Sequence, residues 1–150
     1  MARVLVIGYG NPLRGDEGIG WRVIQKLAKH ALNKDCEIIA CRQLTPELAE
    51  QVSKAELVIF INAEEGKSPG AIQKRAVSPH GEPPPSFSHG LEPHTLLACA
   101  QALYGFSPEG ILFTVSTASF EFSETLSPEV AGAMPKLISK IKSFLDDSQQ

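Results

Sequence analysis

The sequence is poor in the features that mark several large functional classes. It holds three cysteines, Cys36, Cys41 and Cys99, an odd number with no CxxC pair. That argues against a disulfide framework, a zinc ribbon or a thioredoxin-like redox site. Each is expected to act as a small buried hydrophobe in a reducing compartment. No apolar run approaches the ~20 residues needed to span a bilayer, and the strand-like opening over 1–8 does not resemble a signal peptide. The expected location is the cytoplasm, with no membrane partner. There is no basic excess either: the formal net charge is −3, whereas a nucleic-acid backbone selects a concentrated basic face, so no nucleic acid is expected as partner. Conventional protease signatures are missing too, with no GxSxG elbow, no HExxH pair and no motif that marks a cysteine as nucleophile.

What is present suits one globular domain over 1–150, with 43% apolar and 21% charged residues. Strand and helix signals alternate along the chain, the pattern of an α/β domain with a mostly parallel sheet. Residues 3–8 read as a buried strand. A glycine-rich turn follows, and then Ile19, Val23, Ile24, Leu27, Ala28, Ala31 and Leu32 recur at helical spacing, with Asp16 as the expected N-cap. Residues 37–41 read as a second strand. Thr45 and Pro46 read as the cap and first position of a helix to about Ser53. The unbroken run Leu57-Val58-Ile59-Phe60-Ile61 predicts a central strand buried on both faces. An edge strand is expected over 70–77, an irregular segment over 78–93, a helix over 93–104 and a last strand over 110–117. The final helix starts at Ser127-Pro128, with Val130, Met134, Leu137, Ile138, Ile141 and Leu145 as its apolar stripe. Pro135 is expected to kink or restart it, and 146–150 to fray.

Gly8-x-Gly10 after the first strand invites a dinucleotide-binding reading, but the third glycine of that fingerprint is replaced by Leu13. Nor does Ala40-Cys41-Arg42 offer a ribose-binding acid. Nucleotide binding survives only as an alternative carried by Gly8-x-Gly10.

The longer stretch Gly8-Tyr9-Gly10-Asn11-Pro12-Leu13-Arg14-Gly15-Asp16-Glu17-Gly18-Ile19-Gly20 resembles the N-terminal signature of the hydrogenase maturation proteases. Ser88-His89-Gly90-Leu91 is similar to their second signature, a histidine before a helix, and Ser119-Phe120-Glu121 and Leu126-Ser127-Pro128-Glu129-Val130 resemble the segment before their last helix. Taken alone, a carboxylate pair at a helix start serves the helix dipole, and a histidine in a proline-rich loop implies nothing; the matched patterns change both readings. The resemblance implies a three-layer α/β/α sandwich with a five-stranded, mostly parallel sheet. It also implies an endopeptidase that removes the C-terminal extension of a nickel–iron hydrogenase large-subunit precursor after nickel insertion.

By the same resemblance Glu17, Asn62 and His89 contact the metal, with Glu17 and His89 as the catalytic pair, and Gly10, Asn11 and Asp16 contact the substrate. The nickel belongs to the substrate, not to a permanent site. His30, His80 and His94 have no match, and His94 is expected on the surface.

One position departs from the family, which has an aspartate where this chain has Asn62. An amide oxygen coordinates without charge. Three readings stay open: Asn62 as a weaker third ligand, Glu64 as the substitute carboxylate if the strand continues so that both face one side, or an inactive relative that binds a precursor or accessory protein.

Overall fold

The structure, a computed structural model, describes residues 3–29, 35–79, 91–118 and 124–148. A five-stranded sheet runs in the order β2-β1-β3-β5-β4. Its strands are β1 (Val4–Tyr9), β2 (Cys36–Cys41), β3 (Leu57–Glu65), β4 (Ile72–Val77) and β5 (Glu109–Thr117). All pairings are parallel except β4 with β5. The expected three-layer α/β/α arrangement is present. Helices α1 (Ile19–Leu27) and α4 (Pro128–Ser148) cover one face of the sheet, and α2 (Ala49–Ser53) and α3 (Pro93–Tyr104) cover the other.

The expected central strand is longer than its apolar core. Residues 57–61 are fully or nearly fully buried, but pairing with β5 continues in register to Glu65, opposite Thr117. The last residues are polar because the helices no longer cover them. β4 is an edge strand, and its exposed Gln73, Lys74 and Arg75 fit that position.

The first helix is held unusually close to the sheet. A Cβ on Gly20 would lie 2.5 Å from the carbonyl oxygen of Ile61 and 2.7 Å from the backbone nitrogen of Tyr9. Backbone thus meets backbone at this crossing, which is the packing role of the third glycine in a dinucleotide fold. Val23, Ile24 and Leu27 bury themselves beside it.

Several expectations at helix ends are corrected. Asp16 does not cap α1. It sits inside a 3-10 turn over Gly15–Gly18 that leads into the helix, and its side chain is directed elsewhere. The carboxylate is buried, 5% exposed. It accepts the hydroxyls of Thr117 at 2.5 Å and Ser127 at 2.8 Å, and the backbone N–H of Ser127 at 2.7 Å. One side chain thereby ties the first turn to the end of β5 and the start of α4. Thr45 likewise makes no side-chain cap; Pro46–Leu48 forms a 3-10 turn before a short α2. Helix α4 runs through Pro135 without a break and reaches Ser148, beyond the expected fraying point. Pro135 and Ala131 are both exposed, so water can solvate the carbonyl that proline leaves without a helical donor. The cysteines are free and half-buried, and burial pushes the Cys36 and Cys41 thiols up.

Three substitutions test this account of stability. Gly20→Ala forces apart two backbones and is expected to lower stability by about 2 kcal/mol. Gly132→Ala, on an open face of α4 where nothing lies within 4 Å, is expected to raise it by about 0.5–1 kcal/mol through helix propensity alone. Urea denaturation of both variants checks the pair; equal effects would refute the close crossing. Asp16→Ala strands three donors and is expected to cost about 3 kcal/mol by the same measurement.

Candidate functional site

The sheet changes direction between β1 and β3. From β1 the chain crosses to β2 on one side and returns past β1 to β3 on the other. Such a switch point leaves a crevice at the carboxyl ends of the strands, the usual ligand position of open α/β sheets. A cleft of about 490 Å³ lies there, with Tyr9, Gly10, Arg14, Glu17, Arg42, Asn62, Glu64, Arg75, Glu92 and Thr114 among its lining residues.

The polar floor of the cleft is a continuation of the core. On the face covered by α2 and α3, Ile39, Ile7, Phe60 and Leu112 form a cross-strand apolar row. Two residues further along each strand the same face carries Cys41, Tyr9, Asn62 and Thr114. The pairs Tyr9–Cys41 and Asn62–Thr114 are in register. Gly8 pairs with Ile61, so Tyr9, the last residue of β1, and Asn62 lie side by side. The Tyr9 phenol faces the Asn62 amide, and burial first, then the Glu92 carboxylate, keep it protonated well above its ordinary range.

The turn after β1 brings Glu17 over this floor. Gly10 has φ 138°, and a Cβ there would lie 2.0 Å from the Glu17 carbonyl oxygen and 3.2 Å from Asn62 Oδ1. Only glycine lets the turn press so close to both. Asn11 is consumed by the turn itself: its side-chain oxygen accepts the N–H of Leu13 at 2.9 Å, and its carbonyl accepts the N–H of Arg14 at 3.0 Å. The indole N–H of Trp21 and the N–H of Gly10 both donate to the Cys41 carbonyl and pin the turn to β2.

Among the residues expected at the site, Gly10, Glu17 and Asn62 therefore come together in the cleft. Asn11 and Asp16 lie in the same turn, but their side chains are engaged in holding it. His89 and its neighbours Ser88 and Gly90 lie outside the described residues, as do 119–123 of the later matched segment. His94, expected on the surface, is half-buried, and its Nε2 has no exposed area.

The electrostatics are finely divided. Glu17 Oε2 lies 3.6 Å from Arg14 Nε. Glu64 Oε1 accepts Arg75 Nη2 at 3.0 Å and the Thr114 hydroxyl at 2.9 Å. Asn62 Oδ1 is buried with no hydrogen-bond partner among the described residues. A buried acceptor without a donor is costly unless something else satisfies it. Carboxylate and amide oxygens are the donors that a hard or borderline divalent ion takes, so this part of the cleft fits such an ion. No three His, Cys, Asp or Glu among the described residues converge into a closed metal cage. Arg14, Arg75 and Thr114 escaped sequence reading because their place depends on turn shape and on the antiparallel register of β4, which no motif announces.

No protein-family model and no curated protein matches the sequence. Solved structures do. The hydrogenase maturating endopeptidase HybD from E. coli superposes with a TM-score of 0.81 at 24% identity, over 97% of this chain and 93% of that one. The NiFe hydrogenase maturation protease HycI from Thermococcus kodakarensis gives 0.81 at 21% identity over the same shares. The hydrogenase 2 maturation peptidase from a Thaumarchaeota archaeon gives 0.72 at 23%, over 95% and 97%. From end to end, this chain has the fold of the NiFe hydrogenase maturation proteases.

Proposed function

We propose that this protein is a cytoplasmic endopeptidase that removes the C-terminal extension of a nickel–iron hydrogenase large-subunit precursor once nickel has been inserted. The observation that carries the reading is the presence of Glu17 and the unpartnered Asn62 Oδ1 in one switch-point cleft. It adds the placement of side chains to the motif resemblance. In this reading the nickel arrives as part of the substrate. Glu17 and Asn62 contact it, with His89 the expected third contact. A divalent ion so placed acts as a Lewis acid on a nearby carbonyl.

The protein's own share is to bind and to orient. Arg14 holds the Glu17 carboxylate. The protonated Tyr9 phenol keeps the Asn62 amide at the cleft floor. The tie from Asp16 to Ser127 and Thr117 fixes the turn that carries Glu17. No described helix is long and apolar enough to cross a membrane.

The absence of charge at Asn62 motivates a second reading, a relative that binds the precursor or an accessory protein without cutting it. Mass spectrometry of a large-subunit precursor, with and without its nickel–iron centre, separates the two. The expected outcome is loss of a C-terminal peptide from the nickel-loaded precursor only, with the rate reduced at least ~100-fold by Glu17→Gln. Binding without mass loss, beside an active relative as control, would give the second reading instead.

A further inference from the structure

Glu64 lies two residues past Asn62 on β3, on the same face of the strand. Its carboxylate does not extend outward from its own level. Its register partner on β5 is Ser116, yet the hydroxyl that binds it belongs to Thr114, the register partner of Asn62. Its guanidinium partner Arg75 sits lower still, opposite Leu112, which is level with Phe60. Both partners therefore draw the carboxylate back along the sheet toward position 62. Thr114 is 3% exposed, so its hydroxyl needs an acceptor within the protein, and Glu64 provides one.

Both contacts fall on Oε1, and Oε2 has no partner among the described residues. Glu64 lines the same cleft as Asn62 and Glu17. Beside it stands the buried, unpartnered Oδ1 of Asn62.

We propose that Glu64 supplies the carboxylate that position 62 lacks, as an oxygen ligand for a divalent cation in the cleft. The assignment deepens the proposed function and rests on its placing of a cation-bearing substrate there. Glu64 provides the charge, Asn62 a neutral oxygen and Glu17 the second carboxylate. Thr114 and Arg75 are positioning residues, which hold Oε1 and so aim Oε2.

The test is calorimetric titration of Ni²⁺ into the full, untagged chain, with circular dichroism melting to show that each variant is folded. Glu64→Gln is expected to weaken Ni²⁺ binding at least about tenfold. The double variant Asn62→Asp, Glu64→Gln, which returns a carboxylate to position 62, is expected to restore it to within about threefold of wild type. Thr114→Val keeps every charge and is expected to weaken binding by a smaller factor, about threefold, by releasing the orientation of Glu64.

Equal affinity of wild type and Glu64→Gln overturns the assignment, as does a wild-type chain that takes up no Ni²⁺. Failure of the double variant to recover overturns the exchange between positions 62 and 64. The precursor cleavage assay, run on the same proteins, separates this from the peptidase reading. If the isotherms follow the expected pattern and no precursor is cut, the peptidase reading fails and the Glu64 assignment stands. If wild type and Glu64→Gln cut a nickel-loaded precursor equally and bind Ni²⁺ equally, the assignment fails and the peptidase stands.

Discussion

The arrangement of the cleft depends on one close approach, the crossing of α1 over the strands β1 and β3 at Gly20. With no side chain at that point the helix backbone rests against Tyr9 and the carbonyl of Ile61. The turn between β1 and α1 then has to pass directly above the ends of these strands. Gly10, with φ 138°, completes the geometry at the other end of the turn. A larger residue at either position would lift Glu17 away from Asn62, because protein interiors do not absorb an extra methyl without moving their neighbours. The glycines of the first motif thus act by permitting contact, and the residues between them face the cleft or hold the turn.

A turn held so close to the sheet needs an anchor on its outer side, and Asp16 provides it. Its two oxygens take three donors from the end of β5 and the residue before α4. The turn that carries Glu17 is therefore tied to the last strand and to the start of the last helix. Adjacent residues divide the labour: the buried Asp16 secures the turn, while Glu17 stays available to the cleft. Either carboxylate read alone as a helix cap misses that division, because capping is local and these contacts span more than a hundred residues of sequence.

Much of the architecture was legible in advance. The unbroken apolar run 57–61 is a central strand, the polar run 73–75 marks an edge, and the stripe from Val130 to Leu145 is the buried side of α4. Periodicity and continuous apolarity report burial directly, so these elements follow from the residues themselves. Helix starts were less legible. At Asp16 and Thr45 the expected caps give way to 3-10 turns, whose geometry is set by packing rather than by the capping residue. That Glu17 and Asn62 line one cleft was legible through the motif and the central strand. The environment of Glu64 was not. That β3 continues to residue 65 depends on pairing with β5, and the approach of Arg75 depends on a strand that runs the other way. Register is a property of pairs, and one sequence read alone carries it only weakly.

The proposed exchange between positions 62 and 64 would let a sheet keep a charge near one point from a different position. Two residues along a strand amount to about 6.7 Å, too far for an identical side chain to serve the same point. A glutamate is one methylene longer than an aspartate, and here it is also turned back. Thr114, level with Asn62, and Arg75, level with Phe60, both lie behind Glu64 along the strand and bind the same oxygen. A single partner would permit the carboxylate to swing. Two partners on one oxygen from two different strands hold it and leave the second oxygen without a partner among the described residues. The neutral side chain at 62 has its own consequence. With a carboxylate there as well, Glu17, position 62 and Glu64 would crowd three negative charges beside the buried Tyr9 phenol, each raising the cost of the others in a partly desolvated cleft. An amide at 62 with a carboxylate at 64 keeps the oxygen donors and removes one repulsive charge, so the asparagine and the glutamate are best understood as one feature.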